Sequence, residues 1–354
     1  MTELEIDQFK TRTLKRLQTS EKDIPSHPIG EEDLLHLDQC PVCGSKDLTL
    51  ISEVQYQGKF TFFATSACSH CFFTFRSVSP GLGWFKKCWA RIATDKPDVF
   101  NPEVETIRAK RYQTYADAIS RNLDSKGELL DIGAAYGTGA KIFQDAGFKV
   151  EVVEPEENKR NFIERSLGIP VACHTIEELA DLDKKYDAVC IANCLEHLDE
   201  PIAALQTIRG VLKPEGVLYL DVPTLWEFVT WSDAFYLTHK CYFIEKNLTH
   251  LLGRIGFDTL ETFDIHHGAN DPSDIGVILK VGPVRKGGSI DLTEKYSIND
   301  VRDMYLKHLP FPYEEQVIKY NVDSIEHFYQ TVRLDSKKPQ PPTDSSGLIT
   351  FVAR

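Results

Sequence analysis

The sequence has little of what would carry a chain into a membrane or onto nucleic acid. No apolar run approaches the ~18 residues that span a bilayer, so no membrane span is expected. Positive charge is in deficit: 40 Lys and Arg stand against 53 Asp and Glu, a formal charge of −13. A nucleic-acid surface shows a basic patch, so neither DNA nor RNA is expected as a partner. The first twenty residues hold Lys10, Arg12, Lys15 and Arg16 with no apolar stretch behind them. No secretory signal is therefore expected, and the cytoplasm is the expected location. Cysteine is sparse as well. Nine in 354 residues is an odd number and too few for a disulfide scaffold. Hydrophobic residues at 42% and charged residues at 26% are ordinary for a globular chain with a real core.

What cysteine there is clusters. Cys40-Pro-Val-Cys43 and Cys68-Ser-His-Cys71 are two close pairs separated by 24 residues. Where thiols stay reduced, close pairs read first as metal ligands or redox motifs. Zinc takes four thiolates in a tetrahedron, and two tight turns carried on a hairpin supply them. Cys40, Cys43, Cys68 and Cys71 are thus expected to hold a structural zinc, with buried free thiols or a redox pair as the alternatives. The strand-like runs Leu48–Tyr56, Phe60–Thr65 and Phe72–Phe75 around them suit a zinc ribbon. So small a unit has too little apolar material to hold itself together by burial alone.

The chain divides by pattern into a polar arm (1–35, with a short helix at Glu3–Leu17), the ribbon (36–80), a helical linker or lid (81–126), an alternating region (127–283) and a C-terminal extension (284–354). Asn101 and Pro102 cap a helix running to Leu123. In the alternating region short apolar strands are expected at Leu129–Ile132, Val150–Val153, Pro170–Cys173, Ala188–Ala192, Val217–Val222, Thr259–Asp264 and Gly276–Val281. Helices fill the gaps between them, at Gly139–Ala146, Glu156–Leu167, Pro201–Leu212 and Ile244–Ile255. That alternation predicts an α/β fold, a doubly wound parallel sheet closed by an antiparallel edge hairpin. The extension shows helices at Ile298–Leu306 and Tyr313–Phe328. It is expected to serve either as a substrate lid or as the contact of a homodimer.

The first expected strand runs into Asp131-Ile-Gly133-Ala-Ala135-Tyr-Gly137-Thr-Gly139. This is not the dinucleotide spacing G-x-G-x-x-G, and no Lys-Ser or Lys-Thr pair frames it for a triphosphate. A glycine-rich bend lets a ligand approach the backbone. The second strand ends at Glu154, an acid placed to accept hydrogen bonds from both ribose hydroxyls. A nucleoside bound at the switch point of a doubly wound sheet, without a pyrophosphate, accounts for both.

With these residues the sequence resembles the class I S-adenosylmethionine-dependent methyltransferases. Asp131-x-Gly133-x-Ala135-x-Gly137 looks like their first motif and Glu154 like their ribose-binding acid. Tyr186–Asn193 with Cys194-Leu-Glu196-His197 looks like the fourth strand and its turn, and Leu212-Lys-Pro-Glu-Gly-Val-Leu218 like the turn into the fifth. The resemblance spans about residues 105–283. It implies a seven-stranded Rossmann-like sheet and S-adenosylmethionine bound by Tyr112, Asp131, Gly133, Ala135, Gly137, Glu154, Thr175 and Asn193. Ala135 stands where the family usually has Gly, and an alanine suits that place if its φ is negative. Thr175-Ile176 stands where an acid facing adenine is common. For Tyr112 the alternative is core packing, and for Asn193 a strand-end turn.

A ribbon ahead of such a domain resembles the saccharide-modifying branch, which implies a sugar or nucleotide-linked sugar as the small-molecule acceptor. The segment Tyr236-Leu-Thr-His239 lacks the Glu of the sugar C-methyltransferases, so O-methylation is the expectation. A hydroxyl acceptor benefits from a general base titrating near neutrality, which favours His. His197, His239 and Tyr242 are the expected catalytic residues; each His has a structural hydrogen-bonding role as its alternative. His266 and His267 read as surface residues, and Cys173, Cys190 and Cys194 as packing residues. Two other readings stay open: a methyltransferase acting on a protein or a quinone-like acceptor, and a non-catalytic nucleoside-binding module.

Overall fold

The computed structural model describes residues 30–56, 60–81, 83–84, 100–224, 239–266, 273–285, 290, 292–293, 295–306, 317–320 and 349–353. In chain order the strands are β1 (Leu34–His36), β2 (Leu48–Tyr56), β3 (Phe60–Cys68), β4 (Thr74–Pro80), β5 (Glu128–Ile132), β6 (Lys149–Val153), β7 (Val171–Cys173), β8 (Tyr186–Ala192), β9 (Leu212–Pro223), β10 (Cys241–Tyr242), β11 (Phe257–His266), β12 (Ser273–Val281), β13 (Val317–Tyr320) and β14 (Ile349–Ala353). The helices are α1 (Pro102–Arg121), α2 (Thr138–Asp145), α3 (Glu157–Phe162), α4 (Pro201–Val211), α5 (Glu245–Ile255) and α6 (Ile298–Leu306). The chain falls into two compact units. One holds Val99–Pro223 and Leu248–Gly288; the other gathers Thr2–Asp98, Thr224–Asn247 and Ser289–Arg354.

The first unit is a seven-stranded sheet in the order β11-β12-β9-β8-β5-β6-β7. The five strands β7, β6, β5, β8 and β9 run parallel, and β12 and β11 close one edge antiparallel. This is the expected α/β Rossmann-like arrangement. From β5 the chain steps outward to β6 and β7, then crosses back to β8 and β9. The order therefore reverses between β5 and β8, and a ligand crevice opens at the carboxyl ends of strands there. The strand sequences are near-continuous apolar runs because both faces are covered: Leu129, Leu130, Ala188, Val189, Cys190, Ile191, Val217 and Leu218 are all fully buried.

α1 begins at Asn101, whose side chain accepts from the Glu103 amide at 3.0 Å. Its buried stripe holds Tyr112, Tyr115, Ala116 and Ile119. Tyr115 stacks on Tyr219 of β9 with ring centroids 4.3 Å apart, and Tyr112 meets Phe143 of α2 edge-on at 5.7 Å. These aromatic pairs add to the area they bury. The expected α3 ends early. Its last five residues, Ile163–Leu167, widen into a π turn stopped by Gly168 at φ 65°.

The second unit is built on a separate sheet in the order β1-β4-β3-β2-β14-β13, with β10 added on β4. Its strands come from all three of its chain segments. The C-terminal strand β14 pairs antiparallel with β2, Ile349 opposite Tyr56. The helix expected over Tyr313–Phe328 is instead crossed by β13. Its apolar residues Val317 and Ile318 pair in a sheet, and Val and Ile suit a strand more than a helix. The arm helix at Glu3–Leu17, the segment 236–238 and His267 lie outside the described residues. No helix among the described residues is long and apolar enough to cross a membrane.

The wedge between α1 and α2 makes one prediction. Phe143 is fully buried, so Phe143→Ala should lower stability by roughly 3–5 kcal/mol through lost burial and a cavity. Denaturant unfolding measures it, and a loss under about 1 kcal/mol would mean that α2 does not pack as described.

Candidate active site

The bend after β5 is set by left-handed backbone at alternate positions: Gly133 at φ 76°, Ala135 at 51° and Gly137 at 75°. Gly137 is the cap of α2, and a Cβ there would stand 2.7 Å from Leu167 Cδ1. At Gly139, in the first turn of α2, a Cβ would stand 2.1 Å from the Tyr112 ring. That close approach is what places Tyr112 under the bend. Ala135 corrects the expectation of a negative φ. An alanine in the left-handed region costs on the order of 1–2 kcal/mol, and what it gains is direction. Its amide points at the end of the neighbouring strand and donates to Glu154 Oε2 at 2.8 Å.

Glu154 is 4% exposed. Its other oxygen, Oε1, accepts from the Glu156 amide at 2.9 Å. Each carboxylate oxygen has a further lone pair, so two adjacent hydroxyls of a ligand still find acceptors. Burial pushes the Glu154 carboxyl above its ordinary range, the two amides pulling the other way. The register of the sheet supports the bend as well, since the Gly133 amide donates to the Val153 carbonyl at 2.9 Å.

Asp131, the last polar residue of β5, has no exposed surface, and neither of its carboxylate oxygens has a hydrogen-bond partner of normal geometry. Burial, with the Glu154 charge second, raises it to about 7. An orphaned buried carboxylate is costly, and such residues mark places where a ligand completes the hydrogen bonding.

At the end of β8, Asn193 sits at φ 47°. Its amide donates to Asp221 Oδ1 at 2.8 Å, its Nδ2 donates to Asp274 Oδ2 at 2.6 Å, and its Oδ1 accepts from Arg111 Nη1 at 3.3 Å. The strand-end turn and a polar network therefore coincide in this residue. Thr175, after β7, is half-buried, and its carbonyl accepts from the Cys173 thiol at 3.3 Å. Tyr112 is packed: it is 9% exposed and set among Gly139, Tyr115 and Phe143. His197 closes the short turn Leu195–His197, with Nε2 3.9 Å from Glu196 Oε1.

His239 and Tyr242 belong to the other unit. There Arg76, 2% exposed, donates from Nε to the His239 carbonyl at 3.1 Å and from Nη2 to the Tyr242 hydroxyl at 2.8 Å. Its guanidinium lies 4.1 Å over the Phe63 ring. Tyr242 is fully buried and His239 half-buried.

The four cysteines converge in that same unit. Cys40 Sγ lies 3.5 Å from Cys71 Sγ, and Cys43 Sγ lies 3.5 Å from Cys68 Sγ. All four sulfurs fall within 4.8 Å of one another. The two knuckles match. The Gly44 amide donates to the Cys40 carbonyl at 2.8 Å, and the Phe72 amide to the Cys68 carbonyl at 3.0 Å. The residue after each second cysteine is left-handed, Gly44 at φ 76° and Phe72 at 55°.

Arg111, Asp221 and Asp274 escaped the sequence reading as site residues. Asp221 carried a signal, being an acid inside the apolar run Tyr219-Leu-Asp-Val222 at the carboxyl end of a strand.

Two measurements test this geometry. Ala135→Gly should raise stability by about 1 kcal/mol by relieving the left-handed alanine; a destabilised variant would contradict that backbone. A raised folded-state pKa stabilises below the unfolded value and is lost as pH climbs through the folded one. The Asp131 contribution should thus fall away between about pH 4 and 7. Ligand-free Asp131→Asn should be more stable than wild type at pH 8, by up to about 4 kcal/mol, and equal to it near pH 3. Parallel pH profiles of the two proteins would contradict the assignment.

The profile of a family described as a methyltransferase domain matches residues 107–262. The Haemophilus ducreyi ubiquinone biosynthesis O-methyltransferase is 33% identical over 104 residues, 27% of this chain and 44% of that protein. A Bacillus subtilis protein named as the methyltransferase YqeM is 27% identical over 119 residues, 31% of this chain and 48% of that one. The chain spans less than half the length of each. Among solved structures, the Burkholderia thailandensis 1,6-didemethyltoxoflavin-N1-methyltransferase aligns at TM-score 0.46 and 17% identity, over 60% of this chain and 96% of that one. Residues 107–262 are a methyltransferase domain of the class I, S-adenosylmethionine-dependent type.

Proposed function

We propose that the protein transfers the methyl group of S-adenosylmethionine to a hydroxyl of a small polar acceptor, a sugar or nucleotide-linked sugar. The observation that carries the cofactor reading is the Glu154 carboxylate. It is bonded to the bend at Ala135, beside the orphaned Asp131, at the switch point of the sheet. Glu154 would accept both ribose hydroxyls on its remaining lone pairs. The Gly133–Gly137 bend would lie along the nucleoside, and Thr175 would border the base. The bound cofactor supplies an electrophilic sulfonium methyl. The chain's own residues then orient the acceptor oxygen and take its proton. His197, after β8 at the carboxyl edge, is our candidate for that base, and His239 in the other unit is the second. Tyr242, fully buried under Arg76, suits a supporting part better than proton transfer.

The four-cysteine cluster fits a zinc ion in its donor set. Zn–S bonds of about 2.3 Å in a tetrahedron set sulfurs about 3.8 Å apart, close to the 3.5 Å of both paired contacts. Four protein ligands leave no open position, so the role we assign is structural. The Haemophilus ducreyi relative makes a quinone-like molecule the second reading for the acceptor; for a sugar acceptor, Thr238 in place of the Glu of the sugar C-methyltransferases supports oxygen over carbon.

Calorimetry with S-adenosylhomocysteine tests the core of this reading. Wild type should bind, and Glu154→Ala should weaken binding by at least about a hundredfold, two charge-assisted hydrogen bonds being removed. Unchanged affinity would end the ribose assignment. Metal analysis of the purified protein should find about one zinc per chain, and its absence would remove the metal. With a working acceptor, His197→Ala should lower turnover by about 10²–10⁴ with cofactor affinity held; wild-type turnover would dismiss it as the base.

A further inference from the structure

Three carboxylates outside the ribose-binding end remain unused by this scheme. Asp221 of β9, Asp274 of β12 and Glu196 of the turn after β8 are 0%, 2% and 1% exposed. β12 runs antiparallel beside β9 with Gly276 opposite Asp221 and Asp274 two residues away. Asp221 and Asp274 therefore share one face of the sheet. Asn193 joins them, its amide on Asp221 and its Nδ2 on Asp274, and Arg111 supports Asn193. Tyr219 donates to Asp221 Oδ2 at 3.4 Å. Glu196 Oε2 is buried with no hydrogen-bond partner; its Oε1 lies 3.9 Å from His197 Nε2, and the charges that raise its carboxyl are Asp274 and Asp221.

So much buried negative charge needs an answer. Arg111 is the cation acting on Asp221. Uncompensated buried charge is relieved by protons or by a counter-charge. Here burial and mutual repulsion push Asp221 up to about 6 and Glu196 well above its usual range. The cluster lies on the β9–β12 side of β5, whereas Glu154 follows β6 on the other side. It is therefore placed for the acceptor and not for the ribose.

Resting on the methyltransferase reading above, we propose that Glu196, with Asp221 and Asp274, binds a protonated amino group on the acceptor. An ammonium has three donors and no acceptor, which suits three carboxylates. A neutral hydroxyl would leave the Glu196 oxygen facing like charge. The substrate class is thereby narrowed to amino-bearing acceptors, such as an amino sugar.

The test is calorimetry on the full chain saturated with S-adenosylhomocysteine. The probes are glucosamine against glucose, and cyclohexylamine against cyclohexanol, at pH 7.5. At least one amine should bind about tenfold or more tighter than its alcohol. E196Q should erase that preference while S-adenosylhomocysteine affinity stays at the wild-type value. Equal binding within both pairs, or no amine binding, overturns the proposal. A fall in S-adenosylhomocysteine affinity in E196Q overturns it too, by giving the cluster to the cofactor's own amino group. Manganese chloride binding in wild type that E196Q abolishes overturns it in favour of a metal site. If E196Q does not fold, Glu196→Asp retracts the carboxylate by one methylene and is held to the same outcomes. Failure of wild type to bind S-adenosylhomocysteine at all would instead strike the methyltransferase reading.

Discussion

The hydrogen bond from the Ala135 amide to the Glu154 carboxylate is the joint on which this site turns. It ties the bend after one strand to the end of the next. The bend is three left-handed residues in five positions, one of them not glycine. The carboxylate is nearly out of water and needs donors. Each solves the other's problem: the alanine turns its amide outward at a conformational cost, and the acid supplies an acceptor that makes the turn worth keeping. A strand end and a bend locked this way would give the proposed nucleoside a preformed edge, and preformed edges spare a ligand the cost of ordering them.

The same region concentrates buried acids beyond what folding requires. Asp131 and Glu154 stand at one side of the switch point, and Asp221, Asp274 and Glu196 at the other. A chain selected for stability alone would replace orphaned carboxylates with apolar groups. Their presence at the carboxyl edge of the sheet, and not along its covered faces, is the pattern of stored cost at a binding site. The sulfonium cofactor and an amino-bearing acceptor would both arrive with positive charge, so one electrostatic logic covers both halves of the crevice.

Most of the sheet was legible because its period was unambiguous. Apolar runs of four to six residues, punctuated by Gly, Pro and Asn, put four of the parallel strands within two residues of their bounds, while β9 starts five residues earlier than expected, and Asn101-Pro102 marked the start of α1 from capping chemistry alone. The motif residues from Asp131 to Gly137 and Glu154 came together because sequence-local turns and a single βαβ step decide their positions. What stayed hidden depends on distant pairing. Ala135 carries no sign of its left-handed φ, which is imposed by the Glu154 contact. The polar network of Arg111, Asn193, Asp221 and Asp274 joins one helix and three strands. No spacing along the chain announces that. Val317–Tyr320 was misread because four residues of mixed pattern do not separate helix from strand until a partner such as β14 is known.

The cysteine-bearing unit shows the same dependence at larger scale. Its hairpin of β2 and β3 is continuous in sequence, yet β10, β13 and β14 come from two later segments. The chain leaves the first unit at Pro223, the carboxyl end of β9, and rejoins it at Leu248 within α5. His239 and Tyr242 sit on that excursion, and Arg76 from the N-terminal segment holds both. A residue from the beginning of the chain thus fixes the backbone and ring of the excursion's two expected catalytic residues. Loss of the four-cysteine knuckles would therefore disturb more than a separate ribbon: β4, which follows the second knuckle directly, carries Arg76. A structural metal there would act within this unit through position, by keeping one guanidinium against the His239 carbonyl and the Tyr242 hydroxyl.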